Sequence, residues 1–313
     1  MIISASRRTD IPALYSDWFI NRLNSGYLYV KNPMNRMQVS KLILSPETID
    51  CIVFWTKNPA PMLDNLKLIQ NYNYYFHFTI TAYDSTIEKN LPEKKTLIET
   101  FSRLSGMISA DRIIWRYDPV FFTPEFSQLK HLHIFEHLAK KLSGYTRTCI
   151  FSYLTPYNKC KKNMQQLQYS VPEIQQGITF ARTLNSIAES QKITLKSCAM
   201  SREFSDAGIV QGRCIDPELI EKISGKKIDH RKDVSQRENC RCAPSVDIGV
   251  YNTCTNGCIY CYANYNHDMA AENYSLHNPG SELLYGTISG NEKISVRNAE
   301  NKSSSDPDQL KMF

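Results

Sequence analysis

Short apolar segments recur along the chain, and each of them ends in a cluster of polar or turn-forming residues. The segments are MIISAS, YLYV, DCIVFW, YYFHFTIT, RIIW, TCIFSYL, ITLKSCA and VDIGVYN. Runs of this length that are rich in β-branched and aromatic residues are typical of β-strands. The pattern therefore predicts eight strands.

Helical patterns lie between several of these strands. They are SDWFINRLNSG, HIFEHLAKKLSG and VPEIQQGITFARTLNSIAES, and the first two end at Gly26 and Gly144. A glycine just beyond the last periodic residue indicates the end of a helix. Strands that alternate with helices predict an α/β fold with a mainly parallel sheet. We expect a (β/α) barrel of the TIM type, in which the chemistry lies beyond the carboxyl ends of the strands.

The domain organisation follows from a change in composition near the end of the chain. Residues 1–282 are expected to form a single barrel domain, which includes a cysteine-rich segment at 198–264. Residues 283–313 are expected to form a polar, weakly ordered tail, because the stretch from Ser289 is rich in Ser, Asn and Lys.

Composition narrows the functional classes. Of the 313 residues, 22% are charged and 42% are hydrophobic, which is typical of a globular protein. The chain has no run of eighteen apolar residues, so no transmembrane helix is expected. Its first ten residues lack the apolar region of a secretory signal, so a cytoplasmic location is expected. The formal charge of +6 is compatible with a nucleic-acid partner but also with simple solubility.

Cysteine use gives the strongest chemical signal. Seven of the ten cysteines lie between Cys198 and Cys261, and the last three have the spacing C-x3-C-x2-C, at Cys254, Cys258 and Cys261. In a reducing compartment, clustered thiols are more often metal ligands than disulfides. Three thiolates on one loop suit iron–sulfur chemistry, whereas structural zinc usually takes four ligands. Zinc with a fourth ligand such as Cys242 or His267, or plain reduced thiols, are the alternatives.

The sequence CTNGCIYC after the strand VDIGVYN resembles the signature of the radical S-adenosylmethionine (SAM) enzymes. The resemblance implies that Cys254, Cys258 and Cys261 hold a [4Fe-4S] cluster whose fourth iron binds SAM, which is cleaved on reduction to a 5′-deoxyadenosyl radical. It also implies that Tyr260 packs near the adenine. We assign Asn252, at the end of the preceding strand, to cofactor binding as well. An electron donor such as flavodoxin or ferredoxin is then expected as a partner.

The order of the elements departs from that of the usual radical SAM barrel. The cysteine loop there follows the first strand, but here it follows the last. Circular permutation accounts for this if VDIGVYN lies beside MIISAS and closes the ring, since chain termini tend to lie close together. No GGE-like motif follows the next strand in that order.

The chain as a whole resembles a bacterial family of unknown function that has a radical-SAM-like cysteine cluster near its C-terminus. The stretches that carry the resemblance are SASRRTDIPA at 4–13, FWTKNP at 54–59, WRYDP at 115–119 and the segment 236–264. The resemblance implies a barrel and a cluster, and it names no substrate.

Four further cysteines precede the loop. They are Cys198, Cys214, Cys240 and Cys242. Four thiolates complete a closed site, so a second metal is expected here, either an auxiliary iron–sulfur cluster or a structural zinc.

Charged residues follow three of the predicted strands, where a barrel has its active site. They are Arg7, Arg8, Asp10, Lys57, Arg116 and Asp118. A cationic rim suits the carboxylate of SAM or an anionic substrate, whereas the simpler interpretation is that these are ion pairs that fix loops. We therefore expect a radical SAM-type enzyme with an unidentified substrate. The alternative is a binding protein without catalysis, stabilised by zinc or a cluster, with nucleic acid as one partner to consider.

Overall fold

The computed structural model describes residues 1–297, and strands make up its central layer. The strands in this part of the chain are β1 (Ile2–Ala5), β2 (Tyr27–Lys31), β3 (Gln38–Ile43), β4 (Cys51–Thr56), β5 (Tyr74–Thr79), β6 (Ile113–Val120), β7 (Thr148–Tyr153), β8 (Thr194–Ser197), β9 (Val210–Gln211), β10 (Val246–Asp247) and β11 (Lys293–Arg297).

Helices connect most of the strands. They are α1 (Ile11–Leu14), α2 (Ser16–Ser25), α3 (Lys94–Ile108), α4 (Gln128–Leu142), α5 (Asn158–Met164), α6 (Ile174–Ser190), α7 (Arg202–Asp206), α8 (Pro217–Ser224) and α9 (His267–Ser275), with 3-10 helices at Ala60–Ile69 and Ala110–Arg112. As predicted, α2 ends at Gly26, which takes the left-handed conformation that glycine adopts without steric cost. Among the described residues, none of the helices combines the length and the hydropathy needed to cross a membrane.

Eight strands pair in parallel, in the order β10-β1-β4-β5-β6-β7-β8-β9. The predicted α/β class is thus confirmed, and so is the predicted pairing of the VDIGVYN segment with the first strand, where Ile3 lies opposite Val246. Only the first two residues of that segment form a strand. From β1 to β9, each further strand of this sheet lies next to the strand of the sheet that precedes it in the chain.

The sheet is open, however, because no ladder joins β9 to β10 in the described part of the chain. We call the gap between these two strands the seam. Both strands are only two residues long, and the 34 residues between them hold α8 and the loop with Cys240 and Cys242. Short edge strands and a long intervening segment leave little backbone for a ladder, so the closed ring expected from the sequence is not seen.

A second, three-stranded sheet was not expected. The YLYV segment forms β2, which pairs antiparallel with β3 and lies outside the parallel sheet. The eighth place in the parallel sheet is taken by β9, a strand too short to be detected by periodicity. Lys293–Arg297, in the segment expected to be a weakly ordered tail, forms β11 and pairs with β3. The rest of that segment, 298–313, lies outside the described residues.

Side chains of the parallel sheet alternate between two hydrophobic clusters. Phe54, Phe76 and Trp115 belong to the larger cluster, which also includes apolar residues of the helices. Val53, Tyr75 and the four upstream cysteines belong to the smaller one, on the opposite face. Because strand residues alternate between faces, the four cysteines pack on the face of the sheet that is opposite to the larger cluster.

Candidate metal centre

The loop that carries Cys254, Cys258 and Cys261 packs against the segment that follows β5. The amide of Ile259 donates to the carbonyl of Ile87 at 3.1 Å, and the amide of Asn90 donates to the carbonyl of Asn256 at 3.1 Å. The side chain of Asn90 donates to the Thr255 carbonyl at 2.7 Å. The loop is therefore fixed at the carboxyl end of the sheet, where an α/β protein places its ligands.

The tight turn inside the loop depends on Gly257. Its φ of +71° is in the left-handed region, which glycine tolerates best. A Cβ at this position would lie 3.0 Å from the Asn90 side chain and 3.1 Å from that of Lys89. The close packing on the β5 loop and the backbone conformation thus both favour glycine between the first two thiols.

Asn252 closes the base of the loop. Its amide donates to the carbonyl of Ala263 at 2.9 Å, and its side-chain oxygen accepts from the amides of Tyr265 at 3.1 Å and Asn266 at 3.4 Å. Asn273 donates to the Asn252 carbonyl at 2.8 Å. The residue assigned to cofactor binding from the sequence therefore joins the two ends of the cysteine loop.

Glu88 is the polar centre beneath the loop. It is 2% exposed, and its carboxylate accepts from Lys57 Nζ at 2.7 Å, from Tyr260 OH at 2.5 Å and from Thr81 Oγ1 at 2.6 Å. Lys94 adds a second ion pair at 3.1 Å. Burial opposes the charge of the carboxylate, but the two lysines and these hydrogen bonds outweigh it and lower the pKa of Glu88 to about 2.

Lys57 and Tyr260 share this network. Burial disfavours the Lys57 ammonium, but the Glu88 carboxylate and the Cys258 thiol outweigh that effect and raise the pKa of Lys57. The Tyr260 ring packs 5.8 Å from the rings of both Tyr83 and Phe121. The hydroxyl of Tyr260 is thus held by Glu88, and its ring is part of an aromatic cluster.

Asp10 links three segments of the carboxyl end. Its carboxylate caps α1 by accepting from the amide of Ala13 at 3.1 Å, and it accepts from the amide of Lys57 at 2.7 Å and from the Asn256 side chain at 2.9 Å. Burial raises the pKa of Asp10, while these hydrogen bonds lower it; the net result is a raised pKa. Asp10 therefore holds the ends of β1 and β4 against the cysteine loop.

The three thiols of the loop influence one another. Burial raises the pKa of all three, and the other two thiols raise that of Cys254 further. Lys57 acts in the opposite sense on Cys258 and Cys261. Cys160, on α5, also contributes to the raised pKa of Cys261. The sequence thus brings three thiols, an ammonium group and a fourth, unexpected thiol into one buried neighbourhood.

The four upstream cysteines converge at the seam. The sulfur atoms of Cys198 and Cys214 are 3.4 Å apart. The sulfur of Cys242 accepts from the amides of Cys214 at 3.2 Å and Ile215 at 3.4 Å. Hydrogen bonds from the thiols of Cys198 and Cys242 lower the pKa of Cys214, and one from Cys242 lowers that of Cys240 to about 7. All four are buried.

Arg116 and Asp118, expected at the rim, pair with each other. Arg116 also donates to the Cys214 sulfur at 2.8 Å, and Asp118 accepts from the hydroxyl of Ser152. Arg116 is 8% exposed, so it acts as a buried cation beside the four cysteines. Burial disfavours this charge, but Cys214 and Asp118 outweigh it and raise the pKa of Arg116.

Arg7 and Arg8 lie apart from this pair, against Asp247. The Asp247 carboxylate accepts from Ser4 at 2.6 Å, from Ser6 at 2.7 Å and from the amide of Arg7 at 2.8 Å. Burial raises its pKa, but Arg8, Arg7 and these hydrogen bonds lower it on balance. The guanidinium of Arg7 donates to Ser245 at 2.9 Å and lies 5.4 Å from the centre of the Trp55 ring. Arg7 therefore reaches towards the seam.

The convergence of thiols does not amount to a preformed ion site. In residues 1–297, no three or more His, Cys, Asp or Glu side chains are arranged so that they would hold a metal ion as they stand. The structure thus brings the predicted ligands into two neighbourhoods, at the loop and at the seam. Metal binding at either one requires the thiols to adjust.

Three polar residues of these neighbourhoods were not predicted from the sequence. Glu88 stands within an ordinary polar segment, Asp247 is a single charged residue in the predicted strand VDIGVYN, and Cys160 stands apart from the other cysteines in YNKCKKN. Spacing therefore gives no signal for any of them. A weak signal for Asp247 existed, since it lies in the strand that leads into the cysteine loop. Their roles depend on strand adjacency between residues up to 243 positions apart, as in the Ser4–Asp247 hydrogen bond.

A family model matches most of the chain. The family model described as "Domain of unknown function (DUF1848)" matches residues 2–263, which include every strand of the parallel sheet and both groups of cysteines. Neither a curated protein nor a solved structure matches the chain significantly.

Proposed function

We propose that this chain, which belongs to the family described as Domain of unknown function (DUF1848), is an iron–sulfur enzyme of the radical SAM type. The observation that carries the proposal is the presence of three thiols on one eight-residue loop at the carboxyl end of a parallel sheet, beside the cation of Lys57. Two of these thiols, Cys254 and Cys258, are buried, and Cys261 is half-buried. We further propose a cytoplasmic location and a small electron-donor protein as a partner.

The donor set fits a [4Fe-4S] cluster better than it fits a closed zinc site. Cys254, Cys258 and Cys261 are soft ligands, and three of them on one loop leave a metal position open for chemistry. Bound together, a cluster and SAM supply a 5′-deoxyadenosyl radical on reduction. The protein's own contribution is to bind, to orient and to exclude water.

The residues beneath the loop perform the orienting role. Glu88 holds Lys57 and the hydroxyl of Tyr260, and Asp10 holds Asn256 in the turn between the first two thiols. The hydrogen bonds of Tyr260 with Glu88 and of Asn256 with Asp10 are buried, and the Lys57–Glu88 pair is partly buried, so little water reaches the loop from below. Lys57 provides a positive charge near Cys258 and Cys261, which favours thiolates and any anionic group that binds there.

We propose a second metal site at the seam, with Cys198, Cys214, Cys240 and Cys242 as ligands. Zinc–sulfur bonds of about 2.3 Å in a tetrahedron place the sulfurs about 3.8 Å apart. The Cys198–Cys214 separation of 3.4 Å is close to this value. Each cysteine of a four-iron cluster binds a different iron atom, so its sulfurs stand farther apart. A single metal ion, with zinc as the first candidate, therefore fits best and would join the β8–β9 side of the seam to the β10 side.

The test is metal analysis of protein purified without oxygen, followed by reconstitution with iron and sulfide. The Cys258→Ala variant should lose the visible absorption of the cluster. Cys160→Ser should keep it, because an open cluster uses only three thiolates. Loss of the cluster in Cys160→Ser would mean a closed, four-ligand site and would contradict the proposal.

Matched variants distinguish the two proposed metal sites experimentally. Cys214→Ser should lose about one equivalent of zinc and retain the iron of the loop, whereas Cys149→Ser, a buried thiol away from both sites, should retain both metals. Loss of iron rather than zinc in Cys214→Ser would contradict the assignment of zinc to the seam.

A binding protein without catalysis is the second candidate. The observation that favours it is that Asp10, Lys57 and Glu88 are already engaged in fixing the loop. If the loaded protein contains zinc but no iron, or if it holds a cluster but cleaves no SAM when reduced, this second candidate replaces the first.

A further inference from the structure

A cavity of about 270 Å³ lies between the three-stranded sheet and the β10–β1 edge of the parallel sheet. We call it the basic groove. Its walls are formed by β2, β3 and β11 on one side and by Arg7, Arg8 and Asp247 on the other. It is distinct from the cysteine loop, although Tyr262, the residue after Cys261, contributes to its lining.

The strands of the small sheet turn a polar face towards the groove. Lys293, Ser295 and Arg297 of β11 line it, as do Gln38 and Ser40 of β3. These are alternate positions on each strand, and alternate residues share a face of a sheet. In the paired register Lys293 stands opposite Gln38, and Ser295 stands opposite Ser40. The lining is therefore a regular row of hydrogen-bond donors.

Basic side chains outnumber acidic ones in the lining. The basic residues are Arg7, Arg8, Lys31, Lys293 and Arg297, and the acidic ones are Asp233 and Asp247. Both carboxylates are already occupied within the protein. Asp247 accepts the hydrogen bonds described above, and Asp233 accepts from the amide of Ser235 at 2.9 Å and from its hydroxyl at 2.6 Å.

Three of the five cations have no carboxylate partner within the described residues. Lys31 pairs with Glu292 at 2.9 Å, and Arg8 approaches Asp247 at 4.0 Å. Within residues 1–297, no ion pair involves Arg7, Lys293 or Arg297. The Nε atom of Arg7 is buried and lacks a hydrogen-bond partner in this part of the chain, which is a cost that a bound acceptor would remove.

The groove also borders both cysteine neighbourhoods. The hydroxyl of Tyr262 donates to the carbonyl of Arg7 at 2.8 Å, which joins the groove wall to the residue after Cys261. Cys242 and Cys214, at the seam, raise the pKa of Arg7 together with Asp247, against the effect of burial. A ligand held by Arg7 would therefore lie beside the loop proposed to start the chemistry.

We propose that the basic groove binds a small molecule that carries a phosphate or carboxylate group, and that this molecule is the substrate or an activator of the enzyme. Only the role of this molecule as substrate or activator rests on the proposed function, and its binding in the groove does not. Unpaired arginine and lysine side chains with neighbouring hydroxyls suit oxyanions. The volume is near the lower end of small-molecule sites, so it suits a compact metabolite rather than a polymer.

The test is a calorimetric titration of metal-free, reduced protein with pyrophosphate and, separately, with citrate at low ionic strength. Lys293→Gln combined with Arg297→Gln should weaken binding at least tenfold, since each lost charged hydrogen bond costs about that factor. Lys140→Gln combined with Arg202→Gln, which removes two exposed cations from helices, is the matched control and should change affinity less than twofold. The tighter of the two ligands identifies the preferred anion.

Absence of binding to wild-type protein at millimolar ligand, or equal weakening in both double variants, would overturn the proposal. A single-stranded oligonucleotide that binds more tightly than either small anion would replace it with a nucleic-acid site. Because the titration uses metal-free protein, its failure leaves the cluster and SAM cleavage untouched, and a failed SAM assay leaves the anion site untouched.

Discussion

Replacement of Glu88 by glutamine tests whether the cysteine loop depends on the buried charge beneath it. The variant keeps the shape of the side chain but removes the counter-charge of Lys57 and Lys94. Lys57 would then be a largely buried ammonium near Cys258 and Cys261 that forms no ion pair with a carboxylate in residues 1–297. Breaking a buried ion pair in this way destabilises proteins by about 3–5 kcal/mol.

The pKa of Glu88 gives an independent estimate of the magnitude. It falls from 4.5 to about 2 on folding, and 1.36 kcal/mol per pKa unit converts this to about 3 kcal/mol. Because the folded pKa is the lower one, this stabilisation is fully present above pH 4.5 and is lost as the pH falls from 4.5 towards 2. At pH 7 the carboxylate is ionised, so the full stabilisation is present.

The assay is urea unfolding of the metal-free protein at pH 7, followed by circular dichroism with a reductant present. If the free energy of unfolding falls by about 3 kcal/mol per molar urea, Glu88→Gln should lower the urea midpoint by about 1 M. Glu125→Gln is the matched control. It removes an exposed carboxylate that pairs with Lys130, and such pairs contribute less than about 1 kcal/mol. Equal midpoints for the two variants would refute the account of the Glu88 network.

Two further predictions concern the sheet and its packing. His131 is buried, with its two ring nitrogens 2.8 Å from Tyr117 OH and 3.0 Å from the Phe121 carbonyl, and burial lowers its pKa from 6.5 to about 4. As the pH falls, this histidine takes up a proton in the unfolded chain before it does so in the folded protein, so His131 should lower the free energy of unfolding by about 2 kcal/mol between pH 7 and pH 5. His131→Gln should therefore show a smaller decrease of the urea midpoint between these two pH values than the wild type. An equal decrease in the two proteins would contradict this prediction. A Cβ at Gly249 would lie 2.0 Å from Ser6 Oγ, so Gly249→Ala should destabilise by more than about 2 kcal/mol. Gly106→Ala is the control, because a Cβ there meets open space on α3, and it should stabilise by about 0.5–1 kcal/mol. Thermal unfolding of both variants is the measurement, and an unchanged stability of Gly249→Ala would show that the end of β1 can move.

Local sequence patterns predicted the elements that depend on neighbours in the chain. The apolar runs found seven of the eight parallel strands, and Gly26 marked the end of α2, because burial on both faces and helix termination leave local signals. The pairing of the segment before the cysteine loop with the first strand was also predicted, from the argument that the ring order is kept.

Apart from this pairing, long-range partners could not be predicted from the sequence. Spacing cannot tell YLYV in an antiparallel sheet from the same run in a parallel one, and β9 is too short to leave a period. Four of the charged residues expected at the rim bind partners within the protein. They are Asp10, Lys57, Arg116 and Asp118. Arg7 and Arg8 line the basic groove, and the remaining cations of this groove come from segments that showed no motif.

The most direct measurement is SAM cleavage by the anaerobically reconstituted and reduced protein, with Cys258→Ala alongside. The account predicts about four iron atoms per chain at the loop, formation of 5′-deoxyadenosine by the wild type, and none by the variant. A wild-type protein that holds its iron and sulfide but forms no 5′-deoxyadenosine, or a Cys258→Ala variant that forms as much as the wild type, would contradict it.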